Sequence, residues 1–387
     1  MKYDFDTHID RSGTDSVKWH VAKNELPMWV ADMDFKTAPE ITAELRKRLD
    51  RDAFGYTIIP DRWYSSYIDW WKRRYDFEMK KEWLIFTTGV IPAISTLVRK
   101  LTTPAEKVLL QTPVYNMFFN SIVNNGRMPL ESPLILEKDG YHMDYEQLEK
   151  DLSDPQTTLM ILCNPQNPGG KLWDKDSLVR LAELCKKYGV TVISDEIHCD
   201  ITAPGKKYVP FASVSDSARD ISVTCLSPTK AFNIAGIHTA AVCVPNENLR
   251  HRAWRALNTD EVAEPDVFAC EAAIAAYNEG EAWLDELCAY LWQNRQAAAD
   301  FITEKIPLIH PIPGEATYLL WVDIRALKDH VRGFARFLRR KTGLFISDGA
   351  SYGKTGEGFI RINLACPRDM VLDGMERLKK GVDLSEN

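Results

Sequence analysis

Residues 157–200 read TTLMILCNPQNPGGKLWDKDSLVRLAELCKKYGVTVISDEIHCD, and their hydrophobic period changes from one segment to the next. TTLMILC is a short, continuous apolar run that stops at a Pro/Gly-rich turn, CNPQNPGG. DKDSLVRLAELCKKYG then spaces its apolar residues three and four apart, the period of an amphipathic helix. Asp174 is the expected N-cap of that helix, and Gly189 the residue that ends it. VTVIS is a second apolar run. Two such runs separated by a helix read as strands of a mainly parallel sheet buried on both faces.

The same rhythm continues on either side. WLIFTTG precedes VIPAISTLVRKL, KVLLQTP precedes VYNMFFNSIVNNG, and ISVTCLSP and HTAAVCVP follow. The predicted class is α/β. Beyond about residue 286 the texture changes. Helical AYLWQNRQAAADFITEKI leads through the turn IHPIPGEA to strand-like TYLLWVDI. A helix in GFARFLRRKTG, strands around LFISDGA and GFIRINLA, and a last helix complete what reads as a separate α+β layer. The first 45 or so residues lack the rhythm and carry Trp19, Trp29 and Phe35, so they are expected to wrap another element.

A chain of 387 residues exceeds one small core, and two cores are expected. Hydrophobic residues at 45% and charged residues at 27% exclude disordered, collagen-like and coiled-coil classes. Lys and Arg number 48 against 55 Asp and Glu, a net charge of −7. With no basic block, that balance makes the chain a poor non-specific nucleic-acid binder. No apolar run approaches the roughly 18 residues that cross a bilayer. The opening MKYDFDTHIDRSG lacks the apolar stretch of a signal peptide, so a soluble protein is expected. The eight cysteines stand singly, without a CxxC pair or zinc-ligand spacing, several of them inside apolar runs. They read as small core residues of a cytoplasmic protein.

Four strand ends carry the chemistry. TTGV at 87–90 opens a helix, CNPQNPGG at 163–170 leaves a strand, SDEIHCD at 194–200 ends another, and SPTKAFNIAG at 227–236 ends a fourth. In an open parallel sheet such turns converge at the C-terminal edge, where ligands bind. Together they offer a glycine at a helix start, an asparagine, an aspartate and a lysine. Pyridoxal 5'-phosphate requires this set: backbone N–H groups for its phosphate, a carboxylate for its ring nitrogen and a lysine for its aldehyde. A metal reading of Asp195, Glu196, His198, Cys199 and Asp200 is disfavoured, because on a continued strand 196, 198 and 200 would face away from 195 and 199.

The segments RSGTDSVKWH (11–20), LPMWVADMDF (26–35), FGYT (54–57), CNPQNPGGKLW (163–173), SDEIHCD, SPTKAFNIAG, PGEATYLLWVD (313–323) and GEGFIRINLACPR (356–368) occur in order. They resemble fold-type I pyridoxal-phosphate enzymes, in the MalY/PatB-type cystathionine β-lyase (cysteine C–S lyase) branch of the class I/II aminotransferase superfamily. The resemblance covers nearly the whole chain. It implies a large domain with a mainly parallel seven-stranded sheet between helices, and a smaller α+β domain built from both termini. The expected division is 1–45 joining the small domain, 46–286 as the large domain and 287–387 as the small one.

Residue roles follow from the same resemblance. Lys230 matches the Schiff-base lysine that also removes the α-proton, and Asp195 the carboxylate that keeps the ring nitrogen protonated. Asn167 matches the donor to the ring hydroxyl, and Tyr115 the aromatic stacked on the ring. Gly89 and Val90 match the phosphate-binding backbone, with Ser227 adding a hydroxyl. His198 is expected as a supporting group in the pocket or a satisfied core histidine. Tyr56 matches a tyrosine that reaches the phosphate from a second subunit, implying a homodimer. Arg361 matches the arginine that grips the substrate carboxylate, with Tyr115 and Asn167 beside the substrate. Two positions depart from the wider class. His238 stands eight residues after the lysine where an arginine is common, and TTGVIP replaces a serine-containing turn.

The activity implied is β-elimination from L-cystathionine or another cysteine S-conjugate, giving a thiol, pyruvate and ammonia. An aminotransferase on the same scaffold is the alternative. A non-enzymatic regulatory protein is a third, against which the intact set Lys230, Asp195, Asn167 and Arg361 argues. No metal and no nucleic-acid or membrane partner is implied.

Overall fold

The computed structural model describes residues 2–386, with the side chains of 328–330 left undescribed. Seven strands form its central sheet: β1 (Leu84–Thr87), β2 (Lys107–Thr112), β3 (Met128–Pro133), β4 (Thr157–Cys163), β5 (Thr191–Asp195), β6 (Ser222–Leu226) and β7 (Ala240–Cys243). Their spatial order is β1-β7-β6-β5-β4-β2-β3. The pairs β6–β5, β5–β4, β4–β2 and β2–β3 are parallel, while β7 runs antiparallel to both of its neighbours. Strand β3 carries no apolar run in the sequence. Its MPLESP contains two prolines, which a strand tolerates at a sheet edge, and β3 pairs with β2 alone.

Around the sheet lie α1 (Asp61–Tyr75), α2 (Val90–Leu101), α3 (Lys175–Lys187), α4 (Ala269–Glu279), α5 (Glu281–Lys305), α6 (Phe334–Thr342) and α7 (Arg368–Ser385). The continuous apolar runs are explained by helices on both faces. Leu159 and Ile161 of β4 pack with Ile94 and Leu97 of α2. The alternate residues Met160 and Leu162 pack with Leu178 and Leu181 of α3. Asp174 caps α3 as expected, accepting from the Ser177 N–H at 2.8 Å, and Gly189 follows the helix with φ +70°. A third cluster joins Trp63, Tyr67, Trp70 and Trp71 of α1 to Tyr277 of α4 and Phe86 of β1.

The second layer is an antiparallel sheet of β8 (His310–Pro311), β9 (Leu319–Asp323), β10 (Ser347–Asp348) and β11 (Phe359–Asn363), ordered β8-β9-β11-β10. Leu26–Pro27 pairs in parallel with Leu344–Phe345, and Leu26 and Met28 share a core with Leu320, Ile360, Ile362 and Val371. The N-terminal segment thus wraps back onto this layer, where Trp29 stacks on Phe345 at 5.0 Å between centroids. The change of texture near residue 286 falls inside the single 25-residue helix α5. Its first half (Trp283, Leu284, Leu287, Tyr290) packs in the aromatic cluster, and Ala298 and Ile302 pack in the second layer.

All eight cysteines are free thiols, seven of them buried and Cys288 half-buried. Among the described residues no helix is long and apolar enough to cross a membrane.

Candidate active site

The C-terminal ends of β1, β4, β5 and β6 open onto one cavity of about 230 Å³, whose lining includes Gly89, Val90, Tyr115, Asn167, Asp195, His198, Lys230 and His238. At one wall of this cavity, β1 runs through Thr88 and Gly89 into α2. The first N–H groups of a helix have no intrahelical acceptors, so the start of α2 offers donors and the positive end of a dipole.

Asp195 ends β5. One oxygen accepts from the Ile197 N–H at 3.1 Å, and burial pushes the carboxyl up to about 7. A buried carboxylate of this kind is completed by a cationic N–H, and a protonated pyridine nitrogen supplies one. Lys230 follows β6, and its Nζ donates to the carbonyl of Ala31 at 2.6 Å. Burial lowers the amine to about 8; Arg361 acts in the same direction, while Asp32 and Asp195 oppose it. A lysine moved down this far exchanges protons near neutral pH.

Asn167 sits in the turn after β4. Its Oδ1 accepts from Nη1 of Arg361 at 3.1 Å, which leaves the amide nitrogen as the donor. Arg361 lies in β11, only 4% exposed, with Nη2 donating to the Trp29 carbonyl at 2.9 Å and its Nε without a partner. Its guanidinium lies 5.0 Å from the centre of the Tyr352 ring. A buried arginine with an unused N–H is suited to a carboxylate. Burial pushes the Tyr115 phenol up, so it is neutral at physiological pH. Tyr115 and Lys230 also line a second cavity of about 530 Å³ with Arg361, Tyr352 and Asp348, so the two cavities meet at the lysine. The donor set fits pyridoxal 5'-phosphate in the first cavity, with an amino acid in the second.

His198 is buried and held neutral, its pKa lowered to about 3 by burial and by Lys230 and Arg361. It packs edge-on against Tyr318, and its Nδ1 has no partner among the described residues. β5 ends at Asp195, and residues 197–200 form a turn rather than the continued strand expected, so strand alternation does not separate the side chains of 195–200. The acids there are engaged separately. Glu196 accepts from Ser194 at 2.7 Å, from the Phe211 N–H at 3.0 Å and from Tyr208, and Asp200 accepts from Trp70 at 2.9 Å and from Tyr75.

Two expected residues stand apart from the cavity. Ser227 is buried behind it, its hydroxyl donating to the Thr239 carbonyl at 2.7 Å and lying 2.7 Å from the Thr229 hydroxyl. Tyr56 is fully exposed beside a separate surface hollow with Ile58, Tyr64 and Glu264. His238 is exposed at the cavity rim, in the left-handed region at φ +53°.

Sequence reasoning missed the contribution of backbone carbonyls. Ala31 holds Lys230 and Trp29 holds Arg361, and a carbonyl leaves no side-chain signature. The segment is fixed by Lys18, buried to 1%, whose Nζ lies 2.7 Å from Asp34 and donates to the Asp32 carbonyl at 2.9 Å. Arg11 adds a pair with Asp32 at 2.7 Å.

Comparison with known proteins agrees with this geometry. The family described as aminotransferase class I and II matches residues 28–378. Cystathionine beta-lyase PatB of Bacillus subtilis (strain 168) is 41% identical over 97% of this chain and 98% of its own length. Protein MalY of Escherichia coli (strain K12) is 34% identical over 98% and 97%. Among solved structures, cystalysin from Treponema denticola, which contains a pyridoxal 5'-phosphate cofactor, superposes with a TM-score of 0.95 at 33% identity, covering 99% of both chains. The pyridoxal-phosphate-bound C–S lyase from Staphylococcus hominis superposes with a TM-score of 0.92 at 33% identity, covering 98% of this chain and 99% of its own. The chain therefore belongs to the aminotransferase class I and II family, in the group that holds PatB, MalY and the pyridoxal-phosphate-bound C–S lyases.

Proposed function

We propose that the protein cleaves cysteine S-conjugates, L-cystathionine among them, by pyridoxal-phosphate-dependent β-elimination, with Lys230 as base and Arg361 as the carboxylate grip. The observation that carries this reading is the meeting of the two cavities at Lys230, with Asp195 at the base of one and Arg361 in the wall of the other.

When bound, the cofactor supplies an electron sink for charge at the substrate α-carbon. Asp195 would hold the proton on its ring nitrogen, the Asn167 amide would donate to its ring hydroxyl, Tyr115 would lie against its ring, and the start of α2 would receive its phosphate. Arg361 fixes the substrate carboxylate, which sets the Cα–H bond toward Lys230. Lys230 takes the α-proton, and the Cβ–S bond breaks with its electrons leaving on sulfur. The sulfur takes up a proton and departs as a thiol, which is homocysteine when the substrate is L-cystathionine. The three-carbon remainder consumes one water and leaves as pyruvate and ammonia.

Transamination needs the same proton removal, so these residues alone do not separate the two reactions. Lysis is favoured by the 41% identity to a protein named cystathionine beta-lyase. The active unit in this reading is a homodimer. Phe54, Tyr56 and Ile58 are exposed and suit an apolar contact between copies, from which Tyr56 would reach the phosphate of a second copy's cofactor. Eight free thiols suit a reducing cytoplasm.

The test is product stoichiometry from L-cystathionine with no keto acid present. Equimolar pyruvate, thiol and ammonia are expected. Consumption that requires an added keto acid and releases no thiol would assign transamination instead.

A further inference from the structure

The buried charge of Arg361 is paired with no carboxylate among the described residues. Its hydrogen-bond partners are two neutral oxygens, the Asn167 amide and the Trp29 carbonyl. The guanidinium is also faced by the ring of Tyr352, whose centre lies 5.0 Å from Cζ. An aromatic face attracts a desolvated cation without neutralising it. A carboxylate in that place would pair with the arginine and compete with a substrate carboxylate.

Tyr352 ends a short helical turn, Gly349–Tyr352, that follows β10, and it is only 2% exposed. Its ring meets Trp321 of β9 edge-on at 5.3 Å, which holds it from within the second layer. Its backbone carbonyl accepts from the Val114 N–H at 2.9 Å, two residues past β2 of the central sheet. Tyr115, the next residue, lines both cavities. Tyr352 thus touches the arginine with its side chain and, through its backbone, the segment that carries Tyr115. Its hydroxyl makes no hydrogen bond among the described residues, so its contribution is the ring face and the carbonyl. The turn is closed tightly beneath it. A Cβ on Gly356 would lie 2.2 Å from the Gly349 carbonyl oxygen and 3.2 Å from Cβ of Tyr352.

We infer that Tyr352 is a positioning residue of the substrate site, its ring holding the Arg361 guanidinium in place and unpaired until a substrate carboxylate arrives. This rests on the carboxylate role proposed for Arg361 and deepens it. Holding the cation beforehand lowers the ordering cost of binding. Because Tyr352 acts through Arg361 rather than on the reacting atoms, its effect is read in KM more than in kcat.

The experiment titrates L-alanine, which carries the carboxylate but no leaving group, into cofactor-loaded protein by calorimetry. Steady-state kinetics with L-cystathionine run beside it. Tyr352→Leu, Tyr352→Phe and Arg361→Ala are compared, together with the double variants at both positions. Tyr352→Leu should weaken L-alanine binding and raise KM on the order of tenfold, with kcat changed less. Tyr352→Phe keeps the ring face and should recover most of that loss. In the Arg361→Ala background Tyr352→Leu should cost little more, since the ring then has no cation to hold. An equal cost in both backgrounds, or a Phe variant as impaired as Leu, would overturn the inference. So would an equal loss of affinity for pyridoxal 5'-phosphate, whose cavity Tyr352 does not line. Weaker binding by Arg361→Ala, with Tyr352→Leu unaffected, would overturn the role of Tyr352 and keep that of Arg361. Binding untouched by Arg361→Ala would overturn the carboxylate role, and with it the role of Tyr352. Because L-alanine releases no thiol, its binding decides the matter whether or not elimination is the reaction.

Discussion

Asn167 and Arg361 belong to different layers of the fold and meet at 3.1 Å, the amide oxygen accepting from Nη1. Asn167 lies in the turn after β4 of the central sheet, and Arg361 is the middle residue of β11 in the second layer. The bond fixes two orientations together. It leaves the Asn167 amide nitrogen as the group's donor, and Nε of Arg361 is buried without a partner among the described residues. The residue proposed to meet the cofactor and the residue proposed to grip the substrate are thus joined by one contact.

Arg361→Ala should therefore lose substrate grip rather than stability. A charge-assisted hydrogen bond is worth roughly 1.5–3 kcal/mol, and stranding the substrate charge raises the cost to about 3–5 kcal/mol. At about 1.4 kcal/mol per decade, kcat/KM falls on the order of a hundredfold to a few thousandfold. Arg361→Lys should recover little, since an ammonium lacks the two-pronged geometry. Steady-state kinetics and a melting curve on one preparation check this. A lowered melting temperature with normal kcat/KM would make Arg361 a structural tie only.

Asp195→Asn should act in opposite directions with and without cofactor. The folded-state pKa is raised from 3.8 to about 7, so between those values the unfolded chain sheds a proton that the folded chain keeps. Stability of the cofactor-free protein consequently falls as pH rises through that window, by on the order of a few kcal/mol, and stays reduced above it. The amide carries no such slope. Cofactor-free Asp195→Asn should melt above wild type at pH 8 and close to it near pH 4, while binding pyridoxal 5'-phosphate more weakly. A cofactor-free variant less stable than wild type at pH 8 would refute the burial argument.

Lys18 tests the scaffold beneath the lysine. With Lys18 and Asp34 side chains at 1% and 2% exposure, removing one partner strands a buried charge at about 3–5 kcal/mol. Lys18→Ala should lower stability by that order in denaturant unfolding. It should also disturb the Ala31 carbonyl that holds Lys230, because the same Nζ donates to the Asp32 carbonyl one residue on. A change below about 1 kcal/mol would mean the pair is effectively solvated.

Tyr56 tests assembly. In one chain it touches no part of the cofactor cavity, so any role there requires a second copy. Mixed Tyr56→Ala and Lys230→Ala subunits should regain activity, because one site of each heterodimer is built from wild-type residues only. Mixtures no more active than their parents would remove Tyr56 from the site.

The sheet was legible because its strands are buried on both faces, which writes continuous apolar runs such as TTLMILC and VTVIS. Strand β3 was not legible: it is an edge strand, half-exposed and interrupted by prolines. Asp195, Lys230 and Asn167 could be found because strand ends in a parallel sheet converge. Arg361 stood out as a charge in an apolar strand. The Ala31 and Trp29 carbonyls could not be found, since backbone acceptors are brought to the site by long-range packing alone. For the same reason the chain's own texture near residue 286 gave no sign that α5 passes unbroken between two cores.

The most direct test of the account is the rate of pyruvate release from L-cystathionine, without keto acid, by wild-type and Lys230→Ala protein each supplied with pyridoxal 5'-phosphate. Proton transfer by a positioned group contributes about 10²–10⁴-fold. Wild type should release pyruvate and thiol together, and Lys230→Ala should fall by at least on the order of a thousandfold. Pyruvate release by Lys230→Ala at a rate near that of wild type would contradict the account.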